Sequence, residues 1–268
     1  MPEVILEISH LHKVFDSNTV IEDLSLSVHE GEVTVIVGPS GCGKSTLLSI
    51  LEGINSPTKG SILIDGKPIH GTGTDRGVVF QHYSLFPWMT ARKNVAFGIK
   101  QIRKDLSRNE RLKIADVFLG KVGLDEFKNK YPSQLSGGMQ QRVAIARALA
   151  MDTDILLMDE PFGAIDAKNR TILQELLLQL WEGDGTQEKK TVIFVTHDID
   201  EAILLSDRII MMSSHPGRVN QQISVPFERP RNRAELVQTR EYSEFRNLLL
   251  SLFYSDIASK IGGDEVVL

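Results

Sequence analysis

The sequence predicts an α/β fold built on a parallel sheet, and three observations carry the prediction. Short, almost unbroken apolar runs alternate with stretches of helical periodicity. The run Val33-Thr34-Val35-Ile36-Val37 leads directly into a glycine-rich loop, Gly38-Pro39-Ser40-Gly41-Cys42-Gly43-Lys44-Ser45-Thr46. Two later runs end on polar residues, Asp159-Glu160 after one and His197 after the other. Strands of a parallel sheet are covered on both faces and read as continuous apolar runs, and ligands bind beyond their carboxyl ends. Three polar groups at the ends of three such runs therefore mark an expected binding edge.

Taken in order, residues 33–37 read as a buried strand, with a helix from about Lys44. Ile155-Leu156-Leu157-Met158, Val192-Ile193-Phe194-Val195 and Ile209-Ile210-Met211-Met212 read as further strands. Between the first two, Ile172, Leu173, Leu176, Leu177 and Leu180 recur at helical spacing from Ala167 to Trp181, with Gly183 as the stop. From Trp88 to Ala150 the strand-like runs vanish, and Lys100 to Val117 is charged and helical in pattern. This predicts a helical subdomain at about 88–150 inserted into a core of 1–87 and 151–225. Pro226-Phe227-Glu228-Arg229-Pro230-Arg231 breaks the pattern. Residues 226–268 are expected to be a helical extension whose stripe of Phe245, Leu248, Leu249, Leu252, Phe253 and Ile257 packs on the core.

Composition narrows the function classes. The chain has 268 residues with 41% hydrophobic, enough for one large α/β domain with a substantial core. Its 30 basic and 35 acidic residues leave a formal charge of −5, so no basic excess points to nucleic acid, and none is expected as a partner. Cys42 is the single cysteine, which excludes an intrachain disulfide; inside the tight loop it reads as a small filler. No apolar run approaches the ~20 residues needed to cross a bilayer. Met1-Pro2-Glu3-Val4 lacks a basic segment leading into an apolar one, so it is not read as a signal peptide and the chain is expected to be cytosolic.

The chemistry starts at the glycine-rich loop. Its form, G-x-x-x-x-G-K-[ST], lets the backbone wrap a phosphate while the amides of the following helix face the anion. Residues Gly38 to Thr46 are the expected phosphate contacts, with Lys44 on the β- and γ-phosphates and Ser45 on Mg²⁺. A second anion site is expected at Ser136-Gly137-Gly138, where a small-residue helix from Met139 to Ala150 begins. Two phosphate-binding helix starts in one chain suggest one shared ligand.

The run Leu135-Ser136-Gly137-Gly138-Met139-Gln140-Gln141-Arg142 resembles the signature motif of ABC ATPases, and the other motifs follow in that family's order from Leu6 to about Val219. The resemblance implies a P-loop NTPase of ABC type, with a parallel-sheet core, an inserted helical subdomain and an antiparallel β portion near the N-terminus. It implies ATP as substrate and Mg²⁺ as its metal. Asp159 would hold the metal with Ser45 and Gln81, and Glu160 would be the general base. His197 would contact the γ-phosphate and catalytic water, and Gln81 would link core to helical insertion. Ser136, Gly137 and Gly138 would cap the ATP of a second copy, and Asp166 would lie where the two copies meet, making a homodimer. Phe15 stands where many members have a tyrosine stacked on adenine, and keeps the π face.

The same resemblance implies what the cycle drives: two membrane-spanning permease subunits and an extracytoplasmic substrate-binding protein, with this chain on the cytoplasmic face of the membrane. The apolar and aromatic run Tyr83-Ser84-Leu85-Phe86-Pro87-Trp88-Met89 is then the expected docking patch for the permease. A finer likeness, to the nitrate/sulfonate/taurine importers, rests on Leu85-Phe86-Pro87-Trp88-Met89, Asn94-Val95-Ala96-Phe97-Gly98, Ser214-His215-Pro216-Gly217-Arg218 and Arg229-Pro230-Arg231. A soluble ABC-type ATPase acting on DNA or ribosomes is the alternative; such relatives usually carry long coiled coils or tandem cassettes, and neither is seen. A regulatory module that binds ATP without turnover is opposed by Lys44, Asp159, Glu160 and His197 standing together.

Overall fold

The computed structural model describes residues 3–261 apart from 82, 164, 183–188 and 214, with side chains described as far as Tyr254 and not at Glu182. The chain forms two compact units, residues 1–72 with 182–268 and residues 73–181. Gly183 and Ser214 and the side chain of Ile257, all named in the sequence analysis, lie outside the described residues.

The first unit opens with a long antiparallel pair, β1 (Val4–Phe15) and β2 (Asn18–His29). Leu24, Leu26 and Val28 of β2 are buried in alternation, as a strand with one covered face requires, and a register shift at Asp23 lets Ile21 be buried too. Then β3 (Val33–Val37), buried at every position, runs into the glycine-rich loop and α1 (Lys44–Leu51). β4 (Lys59–Ile64) and β5 (Lys67–Pro68) complete a four-stranded antiparallel sheet in the order β2-β1-β4-β5. This is the antiparallel portion that the family resemblance implied.

The second unit begins with β6 (Arg76–Val79), followed by α2 (Ala91–Ile102), α3 (Arg108–Lys121) and α4 (Gly137–Ala150). β7 (Ile155–Asp159) pairs parallel with β6, and α5 (Ala167–Glu182) ends the unit. The charged stretch from Lys100 to Val117 is two helices rather than one. Ser107 and Glu110 form a capping box, each satisfying the other's backbone N–H, and this starts α3 afresh after a break at 103–107. Ser107 also holds the Glu110 carboxyl below its usual range. Val95, Ile99, Leu119, Val143 and Ala146 are fully buried between the three helices. The packing between the three helices is aliphatic, and an Arg92–Asp116 ion pair joins α2 to α3 at its edge.

The chain returns to the first unit with β8 (Thr191–Val195), α6 (Ile199–Leu205), β9 (Arg208–Met212) and β10 (Val219–Ser224), followed by α7 (Arg233–Leu236) and α8 (Arg240–Ile261). β3 lies between β8 and β9, parallel to both, and β10 adds antiparallel to β9. α8 packs on α6. The expected apolar stripe of α8 is divided: Leu249 is buried, whereas Leu248 is half exposed. The inward face is set by Tyr242, Arg246 and Leu249, spaced i, i+4, i+7, and Leu248 is turned about 100° from Leu249. Among the described residues no helix is long and apolar enough to cross a membrane.

One turn braces the glycine-rich loop from behind. Gly217 N–H donates to Val20 O at 2.9 Å, and Glu22 N–H donates to Gly217 O at 3.0 Å. A Cβ at Gly217 would fall 2.1 Å from Cys42 O, so only glycine fits beneath the loop.

Two outcomes follow from this packing. Leu119→Ala should cost about 2–5 kcal/mol in chemical denaturation, and Val117→Ala, on the exposed face of the same helix, less than about 0.5 kcal/mol. Gly217→Ala should displace the Cys42 carbonyl and weaken ATP affinity measured by calorimetry more than it lowers the melting temperature.

Candidate active site

The glycine-rich loop leaves the carboxyl end of β3, where the sequence expects it. Gly41 and Gly43 have φ of +80° and +93°, values that cost a side-chain-bearing residue about 1–2 kcal/mol. At Gly38 a Cβ would meet Cys42 Sγ at 2.7 Å and Met212 O at 2.8 Å. No side chain caps the start of α1, and no acidic residue stands in its first turn. The first amides of a helix have no internal partner, so this end is suited to an anion. Lys44 is buried, and its Nζ donates to Gly38 O at 2.7 Å and Pro39 O at 3.0 Å, with Cys42 Sγ at 3.8 Å. A buried ammonium on neutral carbonyls gains when phosphate oxygens replace them, because the acceptor then carries the opposite charge as well. The same burial pushes the Cys42 thiol above its usual range, in keeping with a filler and not a reactive thiolate.

His197 follows β8, the parallel neighbour of β3. The register pairs Ile36 with Val195, so the phosphate loop and His197 leave adjacent strands on the same edge. Two local bonds hold the turn. Thr196 Oγ1 donates to Glu201 Oε2 at 2.6 Å, and Asp198 caps α6 by accepting from the amides of Asp200 and Glu201 at 2.8 and 3.1 Å. Thr196 and Glu201 are buried and His197 is exposed between them. Phe15, at the tip of β1, is 42% exposed with Lys13 Nζ 4.5 Å from its ring centroid, so its face is not consumed by the core.

In the second unit the same logic repeats. The β6–β7 register pairs Val79 with Met158, so Gln81 and the Asp159-Glu160 pair leave adjacent parallel strands at their carboxyl ends. Glu160 has φ of +40°, an uncommon conformation for a residue with a side chain. Gly163 N–H donates to its carbonyl at 3.0 Å, and Pro161 and Phe162 are buried, which hold the turn. The turn takes Glu160 out of the strand's alternation and brings its Oε2 within 3.4 Å of Gln81 Nε2. Both carboxylates are partly exposed.

The second helix start, expected as an anion site, is capped by its own serine. Ser136 is the N-cap of α4 and accepts from Met139 N–H at 3.3 Å, leaving its own proton to donate. A Cβ at Gly137 would come within 2.8 Å of Tyr83 Oη, and one at Gly138 within 3.3 Å of Asn169. Asp166 is exposed and binds Asn169 through both oxygens, at 3.1 Å to the amide and 2.6 Å to Nδ2. The Asn169 side chain is the main cause that holds the Asp166 carboxyl below its ordinary value.

The aromatic run after Gln81 forms an exposed cluster. Trp88 is 69% exposed, with Phe86 5.5 Å from it and Phe97 4.7 Å from Phe86, centroid to centroid. The residue that sets this loop entered the sequence analysis only as part of a family-like run, without a role. Asn94 is fully buried; its Oδ1 accepts from Phe86 N–H at 2.8 Å and its Nδ2 lies 3.2 Å from Phe86 O and 3.1 Å from Met89 O. Arg147 was missed: from α4 it donates to Ser84 O at 2.7 Å. An asparagine beside Val95 at the start of a helical pattern and a second arginine, five positions after Arg142, in the small-residue half of α4 were the available signals.

Known proteins match this chain along most of its length. The family model described as ABC transporter matches residues 21–163. The nitrate import ATP-binding protein NrtD of Synechococcus elongatus is 47% identical over 239 residues, covering 89% of this chain and 86% of that protein. The bicarbonate transport ATP-binding protein CmpD of Synechocystis sp. is 43% identical over 258 residues, covering 94% and 90%. The dimeric post-hydrolysis structure of the ATP-binding cassette MJ0796, bound to ADP and Pi, superposes with a TM-score of 0.72 at 36% identity, covering 83% of this chain and 100% of that one. With the phosphate loop, the strand-end carboxylates and the signature helix all present, the chain belongs to the ABC transporter family, as an ATP-binding ATPase subunit.

Proposed function

We propose that this subunit energises import of a small anion of the nitrate, bicarbonate, sulfonate or taurine class. The observation that carries the proposal is the identity of 47% and 43%, over most of the chain, to proteins named for nitrate import and bicarbonate transport. The anion itself never meets this chain; ATP does. The working form is a homodimer in which each copy's Ser136, Gly137 and Gly138 close over the other's ATP, with Asp166 at the contact. The dimeric, ADP- and Pi-bound cassette supports that reading. Two membrane-spanning permease subunits dock on the exposed Phe86–Trp88–Phe97 cluster, and a substrate-binding protein outside delivers the anion. This places the chain at the cytoplasmic face as a peripheral subunit.

In the proposed mechanism Lys44 and the α1 amides hold the β- and γ-phosphates, and Phe15 stacks on adenine. Glu160 accepts a proton from the attacking water, which Gln81 helps to orient, and His197 holds the γ-phosphate. Ser45, Asp159 and Gln81, which the family motifs align with the metal, carry the oxygen donors that Mg²⁺ takes and would hold it together with phosphate oxygens. When bound, the metal neutralises charge developing on those oxygens.

Glu160→Gln should keep ATP affinity, accumulate a stable dimer on size-exclusion chromatography with ATP, and slow turnover by roughly 10²–10⁴-fold. Normal turnover would remove Glu160 as the base. Lys44→Ala should instead lose nucleotide affinity itself in calorimetry. The substrate class is read by growth of a host carrying Glu160→Gln in place of the native copy. The media offer nitrate as sole nitrogen source, an alkanesulfonate as sole sulfur source, or limiting bicarbonate. A defect confined to one medium identifies the anion, and growth in all three removes the small-anion assignment.

A further inference from the structure

Most side-chain contacts that the extension after residue 225 makes with the rest of its unit converge on one element, with Arg229 Nε donating besides to Asp207 Oδ1 at 2.7 Å. That element is α6, the seven-residue helix that follows His197. At its C-terminal end, Arg231 Nη1 lies 3.0, 3.1 and 2.5 Å from the carbonyl oxygens of Ile203, Leu204 and Ser206. Arg229 Nη2 donates to Leu205 O at 2.6 Å. These are the carbonyls a helix cannot satisfy internally, at the end where positive charge is favoured. Arg231 is buried, and its Nε and Nη2 donate to Phe227 O at 3.0 and 2.8 Å, which fixes the guanidinium from the other side.

At the opposite end of α6 the grip comes from α8. Asp200 Oδ1 accepts from Tyr242 Oη at 2.6 Å and Arg246 Nε at 2.7 Å, and Oδ2 accepts from Arg246 Nη2 at 3.1 Å. Burial tends to raise the Asp200 carboxyl; the Arg246 and Tyr242 bonds outweigh it and hold the group below its ordinary value. The Asp200–Arg246 pair alone is partly exposed and weak, but Tyr242 is buried and locks the same oxygen. Phe227 packs against Tyr242 and Phe245, so the two grips share one aromatic joint. A helix of seven residues is too short to hold its own geometry and takes its position from what it is tied to. Its first residue is Ile199, two past His197.

We infer that the extension is a clamp that positions His197. Through Arg231 and Arg229 at one end of α6, and Tyr242 and Arg246 on Asp200 at the other, residues 226–261 hold the histidine turn in the geometry that hydrolysis needs. The inference rests on the reading of His197 as the γ-phosphate residue. Asp200, Tyr242, Arg246 and Arg231 are positioning residues and touch no nucleotide.

The test uses the full chain and its steady-state ATPase. Arg246→Ala and Tyr242→Phe should lower kcat roughly 3- to 10-fold while the KM for ATP stays within about 2-fold, since orientation and not binding is disturbed. Arg246→Lys should recover part of the loss. In a His197→Ala background, Arg246→Ala should change kcat no further, because it acts through the histidine. Melting temperatures identify a variant that fails to fold; Tyr242→Phe removes one hydroxyl and keeps the test open. If His197→Ala cripples turnover while Arg246→Ala and Tyr242→Phe leave kcat intact, the clamp is wrong and the histidine's role stands. Equal losses in both backgrounds also overturn the clamp. Normal turnover of His197→Ala alone overturns the reading of the histidine, and the clamp with it.

Discussion

Parallel pairing of buried strands is the constraint on which the rest of this protein depends. A strand cannot reach a parallel neighbour by a tight turn, so the chain leaves its carboxyl end in a long crossover connection. β3 and β8 do this side by side, and so do β6 and β7. The strand interiors are apolar and spend their backbone polarity on the ladder. The polar chemistry therefore collects where the ladders stop. Lys44 and His197 emerge from one pair of ends, Gln81 and Glu160 from the other.

At each end, local conformation does the aiming. Gly41 and Gly43 turn backward to close the phosphate loop, and Glu160 adopts a left-handed turn that takes its carboxylate out of line toward Gln81. Lys44 rests on two carbonyls within its own loop, so its charge is buried and held ready for anionic oxygens. The His197 turn is fastened by Thr196–Glu201 and by the Asp198 cap. Apart from the Glu160–Gln81 approach, these are short-range devices, each built within a few consecutive residues, which is why motifs are compact in the sequence.

The elements outside the motifs serve to hold them. Asn94 pins the aromatic loop from inside the helical subdomain. Arg147 ties the signature helix to the segment after Gln81. Gly217 lets a distant turn lie directly beneath Cys42. None of these residues touches the expected nucleotide contacts through chemistry of its own; each decides where a neighbouring backbone can be.

The sequence by itself determined four buried strands, β3, β7, β8 and β9, with the phosphate loop and the signature helix, and it singled out Lys44, Asp159, Glu160 and His197 as candidates, because periodicity and motif spacing are local properties. It determined the family on the same grounds. It did not show that Lys100 to Val117 breaks into two helices, since that turns on the reciprocal bonding of Ser107 and Glu110 against a background of uniform charge. Nor did it show that Leu248 would face outward while Leu249 faced in, or that Arg231 and Tyr242 would seize the two ends of α6. Those outcomes depend on pairs of residues about 25 to 42 positions apart meeting in space. Only the tertiary structure, by burying one face of α8 and the Arg231 guanidinium against α6, decided them.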